Sequence, residues 1–254
     1  MIWLERFILM LQFMTRIPVK INVRAERKDF AKGLVIAPVV GLVVGLLIAG
    51  LHFLLGFLLP SLANAVLTMA FYVFLTGGLH LDGLGDTADG LFSNRPKDRI
   101  LEIMKDSRVG TNAVLAVVIV LLLNISLVSS LESSAFSILL LMPAAGRIGS
   151  LVASGVSGYA GTSDGPGRWC VELCGWREVL AGSIISVVIF VAVSGVYGLV
   201  FMLLAMLSAF ILAKSLGKKL GGVTGDILGA VCELNQTIFL ILSVILTRLQ
   251  PFFF

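Results

Sequence analysis

Charge is scarce in this sequence. Of its 254 residues, 13% are charged and 58% are hydrophobic, whereas soluble globular domains are about 25% charged. A chain of this length has too little interior to bury so many apolar side chains, so a membrane must supply the apolar surroundings. The composition excludes a disordered chain and, with a net charge of only +4, a nucleic-acid binder with a basic patch.

Cysteine and histidine are rare as well, with three and two residues. Three cysteines are too few for a disulfide scaffold. Cys170 and Cys174 are four residues apart, but no histidine lies near them to complete a zinc site, so we expect free thiols in a reducing compartment. No Ser/His/Asp set for nucleophilic catalysis can be assembled.

Long apolar runs are the main feature that is present. Seven of them approach the roughly 20 residues that cross the hydrocarbon of a bilayer. They cover residues 34–58, 62–79, 111–131, 136–155, 179–196, 199–213 and 226–247. The fifth and sixth form one tract, which we divide at residues 195–198. The sequence predicts an all-α fold: a polytopic integral membrane helical bundle with about 7 transmembrane helices (6–8), as a single membrane domain over residues 1–254.

Lysine and arginine lie in alternate connections between these runs. The connections near 59–61, 132–135 and 197–198 contain none, whereas the others contain nearly all of them. Basic loops remain in the cytoplasm. We therefore predict a cytoplasmic location for the N-terminal segment 1–33, the acidic loop 80–110, and the loops 156–178 and 214–225. The start of the N-terminal segment lacks the basic region of a signal peptide and is expected to lie in the membrane interface.

Three aspartates are spaced for one face of a helix. Asp82, Asp86 and Asp89 stand at i, i+4 and i+7, and carboxylates so close together repel one another unless a cation lies among them. Mg²⁺ takes oxygen ligands of this kind and shares them with substrate phosphates. The alternative is a solvated acidic surface. Further along, Arg108 precedes a predicted helix N-terminus, where it could hold a phosphate.

A second acidic group begins the last apolar run. Asp226 and Glu233 share a helix face, and a carboxylate inside an apolar helix is a functional candidate by default. Pairing of Glu233 with Arg147 is the structural alternative, and Arg147 could equally anchor a phosphate. His80 is a weak candidate ligand beside the aspartates. The glycine-rich loop 158–168 is interpreted as mobile, in the manner of a lid.

Four motifs resemble those of the cobalamin synthase family, the adenosylcobinamide-GDP ribazoletransferases, and they occur in the family's order. They are TRIP at 15–18, LHLDGLGDTADGLF at 79–92, EIMKDSRVGT at 102–111 and GVTGDILGA at 222–230. The family often carries a second acid three residues after the position of Glu233, where this chain has Gln236.

The resemblance implies that the protein joins adenosylcobinamide-GDP and α-ribazole, or its 5′-phosphate, and releases GMP. The reaction would be a Mg²⁺-dependent displacement at a phosphate. On this basis the candidate metal ligands are Asp82, Asp86, Asp89 and Asp226. The candidate catalytic residues are Asp82, Asp86, Asp89, Glu233 and Arg108, and the candidate substrate-binding residues are Arg147, Arg16, His80 and Ser107.

The expected partners are these small-molecule substrates and the lipid bilayer, without nucleic acid, and the resemblance implies a prokaryotic inner membrane. The sequence leaves open whether the chain forms a homo-oligomer. The alternative function is a secondary transporter that uses Asp226 and Glu233 as ion sites. Transporters tend to have repeated halves, and we find no internal repeat.

Overall fold

The structure, a computed structural model, describes residues 2–131 and 134–249. Residue 1, residues 132–133 of the predicted connection 132–135, and residues 250–254 lie outside it. The described residues form eleven helices and no β-strand. In chain order these are α1 (Ile2–Met14), α2 (Arg27–Gly33), α3 (Ala37–Leu55), α4 (Ser61–Thr76), α5 (Leu79–Phe92), α6 (Lys97–Ile103), α7 (Thr111–Ser129), α8 (Ala135–Val156), α9 (Pro166–Leu173), α10 (Trp176–Gly217) and α11 (Gly225–Leu249). The all-α prediction is confirmed.

Five helices of the described residues are long and apolar enough to cross a membrane: α3, α7, α8, α10 and α11. The number rises to six if α4 and α5, which meet at 90°, are taken as one broken span. The sequence predicted about seven, and the difference arises because α10 is counted once although it contains two apolar arms. The protein is a polytopic helical membrane protein, as predicted.

Helix α10 turns back on itself near its middle. Ser194 and Gly195 leave helical geometry, and Gly195 has a φ of 56°, a region that favours glycine. The Ser183 hydroxyl lies 3.6 Å from the Met206 sulfur, whereas a straight helix would separate residues this far apart in sequence by roughly 35 Å. The arms 176–193 and 196–217 are therefore antiparallel, and the division predicted at 195–198 is correct.

Helix α8 forms the centre of the bundle. Its apolar window is 78% buried, against 22% for α7, so α7 presents most of its surface to the membrane. Gly41 and Gly45 of α3 face α8, because a Cβ on Gly41 would lie 2.6 Å from the Ala144 backbone and one on Gly45 would overlap the Leu140 carbonyl. Glycine at these positions, four residues apart, lets the two backbones approach closely.

The segment 80–110, predicted to be an acidic loop, is mostly helical, since it contains nearly all of α5 and the whole of α6. The chain enters α5 through Gly77 and Gly78, whose φ angles are 65° and 73°. Two consecutive left-handed residues, which favour glycine, turn the chain by 90° between α4 and α5. Helix α5 consequently lies across the end of the bundle rather than along it.

The charged connections gather at this end, which we call the charged end. Lys219 donates to the Leu91 carbonyl at 3.0 Å, and Lys105 donates to the Thr162 hydroxyl at 2.7 Å. Arg27, near the start of α2, donates to Asp164 at 2.8 Å. The segments that the sequence assigned to one side of the membrane therefore meet at one end of the molecule.

Candidate active site

Asp82, Asp86 and Asp89 lie along one face of α5, as their spacing predicted. Asp82 is exposed, whereas Asp86 and Asp89 are half-buried. The other faces of α5 are buried against the bundle. The helix therefore presents its carboxylates along a single edge at the charged end.

Asp226 reaches the same region from the first turn of α11. The Thr224 hydroxyl oxygen accepts a hydrogen bond from the Ile227 backbone N–H at 3.2 Å, which is the contact of an N-cap residue. The same hydroxyl lies 3.4 Å from Asp226 Oδ2. The positive end of the helix dipole favours a carboxylate in this first turn, so α11 places Asp226 and offsets part of the cost of its burial.

Glycines allow α5 and α11 to cross at close range. A Cβ on Gly83 would lie 2.8 Å from the Asp226 carbonyl oxygen, and one on Gly229 would lie 3.1 Å from the His80 carbonyl oxygen. Real side chains essentially never approach backbone at the first of these distances. The glycines of the two motifs thus bring the aspartates of α5 next to Asp226.

Three cavities adjoin these aspartates: the inner cavity shares Asp226 with the loop cavity and Asp82 with the lateral groove. The inner cavity, of about 230 Å³, lies between α5, α8 and α11 and is lined by His80, Asp82, Ser150 and Asp226. The loop cavity, of about 270 Å³, lies under the glycine-rich loop and is lined by Lys105, Tyr159, Arg168 and Asp226. The lateral groove, of about 710 Å³, lies between α5 and α7 and is lined by Asp82, Asp86, Val109, Val114, Val117 and Val118.

The carboxylates of this site lie close enough to repel one another. Burial, followed by the charges of Asp82, Asp226 and Asp89, raises the pKa of Asp86 from 3.8 to about 7. Among the described residues, no lysine or arginine forms an ion pair with Asp82, Asp86 or Asp226. Carboxylate oxygens without a basic partner are the ligand type of a hard divalent cation, so the residue types suit Mg²⁺, although these oxygens do not form one of the groups whose ligand atoms all lie within 4.8 Å of one another in the described residues. The Mg²⁺ site stays a prediction.

Asp89 has a defined structural contact. Its Oδ2 accepts the Gly110 backbone N–H at 2.6 Å and its Oδ1 accepts the Ala113 N–H at 2.9 Å. These donors belong to the start of α7, so Asp89 caps that helix from a neighbouring one. This contact connects α7 to α5. The assignment of Asp89 as a metal ligand stays a prediction.

Arg108 and Ser107 lie in the exposed connection before α7. Arg108 binds the Asp106 carboxylate through Nε at 3.0 Å and Nη2 at 2.6 Å, and its side chain is 88% exposed. Hydrogen bonds from Arg108 lower the pKa of Asp106 to about 2. Neither Arg108 nor Ser107 lines any of the three cavities, so their predicted roles would require movement of this connection.

Arg16 lies at the turn between α4 and α5. Its backbone N–H donates to the Leu75 carbonyl at 2.7 Å, and a Cβ on Gly77 would lie 2.6 Å from Arg16 Nε. Gly77 lines the lateral groove. The structure therefore places the exposed Arg16 side chain at the edge of the groove that contains Asp82 and Asp86.

Arg147 and Glu233 belong to a network inside the bundle. Arg147 is fully buried and Glu233 is 2% exposed. The Tyr72 hydroxyl donates to Glu233 Oε1 at 2.7 Å and accepts from Gln236 Nε2 at 2.8 Å, while Arg147 Nη1 lies 3.4 Å from Gln236 Oε1. The predicted Arg147–Glu233 ion pair is not among the contacts of the described residues. Tyr72 and Gln236 connect the two charges instead.

His80 connects this interior to the site. It is 6% exposed and lines the inner cavity, and its Nδ1 has no hydrogen-bond partner among the described residues. Ligand atoms of His80, Cys232 and Glu233 lie within 4.8 Å of one another. The structure thus places His80 between the aspartates at the surface and the buried network.

Sequence reasoning did not single out Tyr72, Thr224 or Lys105. Thr224 had a signal, because a threonine followed by an acid just before an apolar run is typical of a helix start. Tyr72 had none, because an aromatic residue within an apolar run is most often a packing residue. The loop 158–168 forms a wall of the loop cavity, and its predicted mobility stays a prediction.

The membrane-crossing helices, and the carboxylates that line cavities at the charged end, define an integral membrane protein with an acidic site at one end. The model of the cobalamin-5-phosphate synthase family matches residues 6–244. The chain therefore belongs to this family. No solved structure is significantly similar to the chain.

Three relatives are each named adenosylcobinamide-GDP ribazoletransferase. The protein of Acetivibrio thermocellus is 50% identical over 94% of this chain and 97% of its own length. That of Clostridium acetobutylicum is 48% identical over 94% and 96%, and that of Alkaliphilus metalliredigens is 41% identical over 96% of both chains. The resemblance identified from four motifs is confirmed over nearly the whole chain.

Proposed function

We propose that this protein is a membrane-bound transferase that joins adenosylcobinamide-GDP to α-ribazole, or to its 5′-phosphate, and releases GMP. The observation that carries the proposal is the position of Asp82 and Asp226: both line the inner cavity, and each also lines one further cavity, the lateral groove for Asp82 and the loop cavity for Asp226. A reaction between two large substrates needs separate spaces that converge on one centre. Family membership and the names of the relatives support the same activity.

Asp82, Asp86 and Asp226 would hold Mg²⁺, with Asp89 as a further predicted ligand. Bound there, the ion would neutralise charge on the phosphate oxygens of the substrate. The chain itself fixes the ligands: the Gly83–Asp226 approach sets the distance between α5 and α11, and Thr224 fixes the first turn of α11. Positioning and charge neutralisation are most of what phosphoryl transfer requires.

In the proposed reaction, a hydroxyl oxygen of α-ribazole forms a bond to the phosphorus that carries the cobinamide group. The bond from that phosphorus to the GMP oxygen breaks, and GMP leaves. The proton of the hydroxyl passes to a carboxylate that lines the cavities. Glu233, a predicted candidate for this base, lines none of the three cavities, and its Oε1 accepts a hydrogen bond from the Tyr72 hydroxyl, so Asp82 and Asp86 are better placed.

The active site would face the cytoplasm of a prokaryotic cell from its inner membrane. The segments rich in lysine and arginine meet at the charged end, and basic segments remain cytoplasmic. The transporter alternative has no comparable support, because the family and the named relatives point to a transferase.

The test is a condensation assay with purified protein in detergent. We expect cobamide to form from adenosylcobinamide-GDP and α-ribazole when Mg²⁺ is present, and product to be lost on chelation.

Asp82→Asn and Asp226→Asn should lower turnover by at least about 100-fold, as expected for loss of electrostatic stabilisation. Asp98→Asn is the matched control, because Asp98 is an exposed acid of α6 that lines none of the three cavities. Full Mg²⁺-dependent turnover by folded Asp82→Asn would refute the metal assignment, and the absence of product from the wild type would refute the activity.

A further inference from the structure

The lateral groove differs from the other two cavities in what forms its walls. One wall is α7, the candidate span with the smallest buried share, at 22%. Val114 and Val118 of this wall are 51% and 46% exposed. Exposed valines on a membrane-crossing helix face lipid, so the groove opens sideways toward the bilayer at the charged end.

The opposite wall is acidic. Asp82 and Asp86 of α5 line the groove, and Asp82 also lines the inner cavity. Gly85 forms the floor between the walls, since a Cβ there would lie 3.2 Å from the Ala113 side chain. A ligand in the groove would therefore contact apolar side chains on one face and carboxylates on the other. The acidic wall of the groove ends at the proposed reaction centre, because Asp82 belongs to both.

We propose that the lateral groove binds the corrin ring of adenosylcobinamide-GDP, which enters from the membrane surface. This inference rests on the proposed function. The ring is large and amphipathic, so its apolar face suits the valine wall and its polar groups suit the aspartate wall. A ring seated between α5 and α7 extends its phosphate chain toward Asp82.

The second substrate then reaches the centre from another direction. The loop cavity is lined by Lys105 and Arg168 and shares Asp226 with the inner cavity. Its two basic side chains suit the phosphate and hydroxyl groups of a nucleoside or nucleotide that arrives from water. The division of the cavities gives each substrate a separate entry to the same carboxylates.

A lipid acyl chain is the competing occupant of a groove that opens to the bilayer. Two carboxylates along one wall disfavour it, because an acyl chain cannot solvate them and anionic head groups would be repelled. The corrin ring is favoured because it satisfies both walls at once.

Tryptophan substitutions on α7 test the proposal with controls on the same helix. Val114→Trp fills the groove, whereas Leu115→Trp adds the same bulk next to it on a residue that is 53% exposed and does not line it. Val118→Trp and Ile119→Trp form a second pair of the same kind. Binding of adenosylcobinamide alone, which lacks the nucleotide and absorbs visible light, is measured by equilibrium dialysis against protein in nanodiscs.

We expect the two groove variants to weaken adenosylcobinamide binding by about tenfold, the effect of a steric change in an apolar pocket. Their KM for adenosylcobinamide-GDP should rise equally, with the KM for α-ribazole unchanged. Wild-type binding by both folded groove variants, as expected if only lipid occupies the groove, would overturn the proposal, as would equal losses in the control variants. A wild type that binds adenosylcobinamide but forms no product would instead overturn the proposed function.

Discussion

Two charged side chains are buried inside this membrane protein without direct contact. Arg147 is fully buried and Glu233 is 2% exposed, and a buried charge is costly unless hydrogen bonds and an opposite charge compensate it. Tyr72 and Gln236 supply those hydrogen bonds. Because these residues come from α4, α8 and α11, the network holds together three helices that surround the site.

Tyr72→Phe tests this network. Loss of the hydroxyl leaves Glu233 Oε1 and Gln236 Nε2 each without one partner, and a buried group left unsatisfied costs about 1–3 kcal/mol. We expect a lower unfolding temperature in detergent. Tyr197→Phe is the control, since Tyr197 is 44% exposed. Equal unfolding temperatures for the two variants would contradict the role of Tyr72.

Asp89 allows a test that separates capping from metal binding. Asp89→Asn keeps an oxygen that accepts an N–H, whereas Asp89→Ala keeps none, and losing a helix cap costs about 0.5–2 kcal/mol. We expect Asp89→Ala to be less stable than Asp89→Asn in thermal unfolding. If Asp89 is also a ligand, both variants should require more Mg²⁺ for half-maximal turnover, and an unchanged requirement in Asp89→Asn would exclude that role.

At the scale of elements, the crossing of α5 and α11 determines the geometry of the site. Each helix carries carboxylates, and their separation depends on Gly83 and Gly229. The crossing is close because neither glycine has a side chain, so a single added methyl group acts directly on the distance between Asp82 and Asp226.

Gly83→Ala should therefore impair the site. Its Cβ would lie 2.8 Å from the Asp226 carbonyl oxygen, and relief of such overpacking costs about 1–3 kcal/mol. We expect lower stability and a higher Mg²⁺ concentration for half-maximal turnover. Gly50→Ala in α3 is the control, because nothing lies within 4 Å of its added Cβ and alanine is the better helix former. Equal stability and an equal Mg²⁺ requirement in the two variants would show that α5 and α11 can move apart without affecting the site.

The sequence predicted the apolar helices, their alternation and the acidic face of α5, because composition and spacing determine these features locally. It did not predict that α5 lies across the bundle. Two adjacent glycines can adopt many backbone conformations, so the 90° angle between α4 and α5 is set by packing and not by the local sequence. The Tyr72–Glu233 contact joins residues that are 161 positions apart, and no local pattern indicates such a pair. The charge of Glu233 was recognised, but its partner was not.

At the scale of the whole molecule, the charged connections and the three cavities lie at one end. At the opposite end, the connections that the structure describes in full are short: residues 56–60 and the break at 194–195. Among the described residues the protein therefore has two ends of different chemistry, one that contains the site and one where short turns close the helical hairpins.

Thiol labelling can determine which face is cytoplasmic. Burial raises the pKa values of Cys170 and Cys174 to about 12, and Cys232 is buried, so the native thiols should react slowly. Ser107→Cys and Ser130→Cys place exposed thiols near opposite ends. An impermeant maleimide should label the first in inside-out vesicles and the second in intact cells. The reverse pattern would contradict the proposed orientation.

The position of all three cavities at the charged end has a bioenergetic consequence. Both substrates would arrive from, and both products would return to, the same compartment, so no group crosses the bilayer during turnover. The reaction is scalar rather than vectorial. An ionophore that collapses the membrane potential should leave the turnover of the protein in sealed vesicles unchanged.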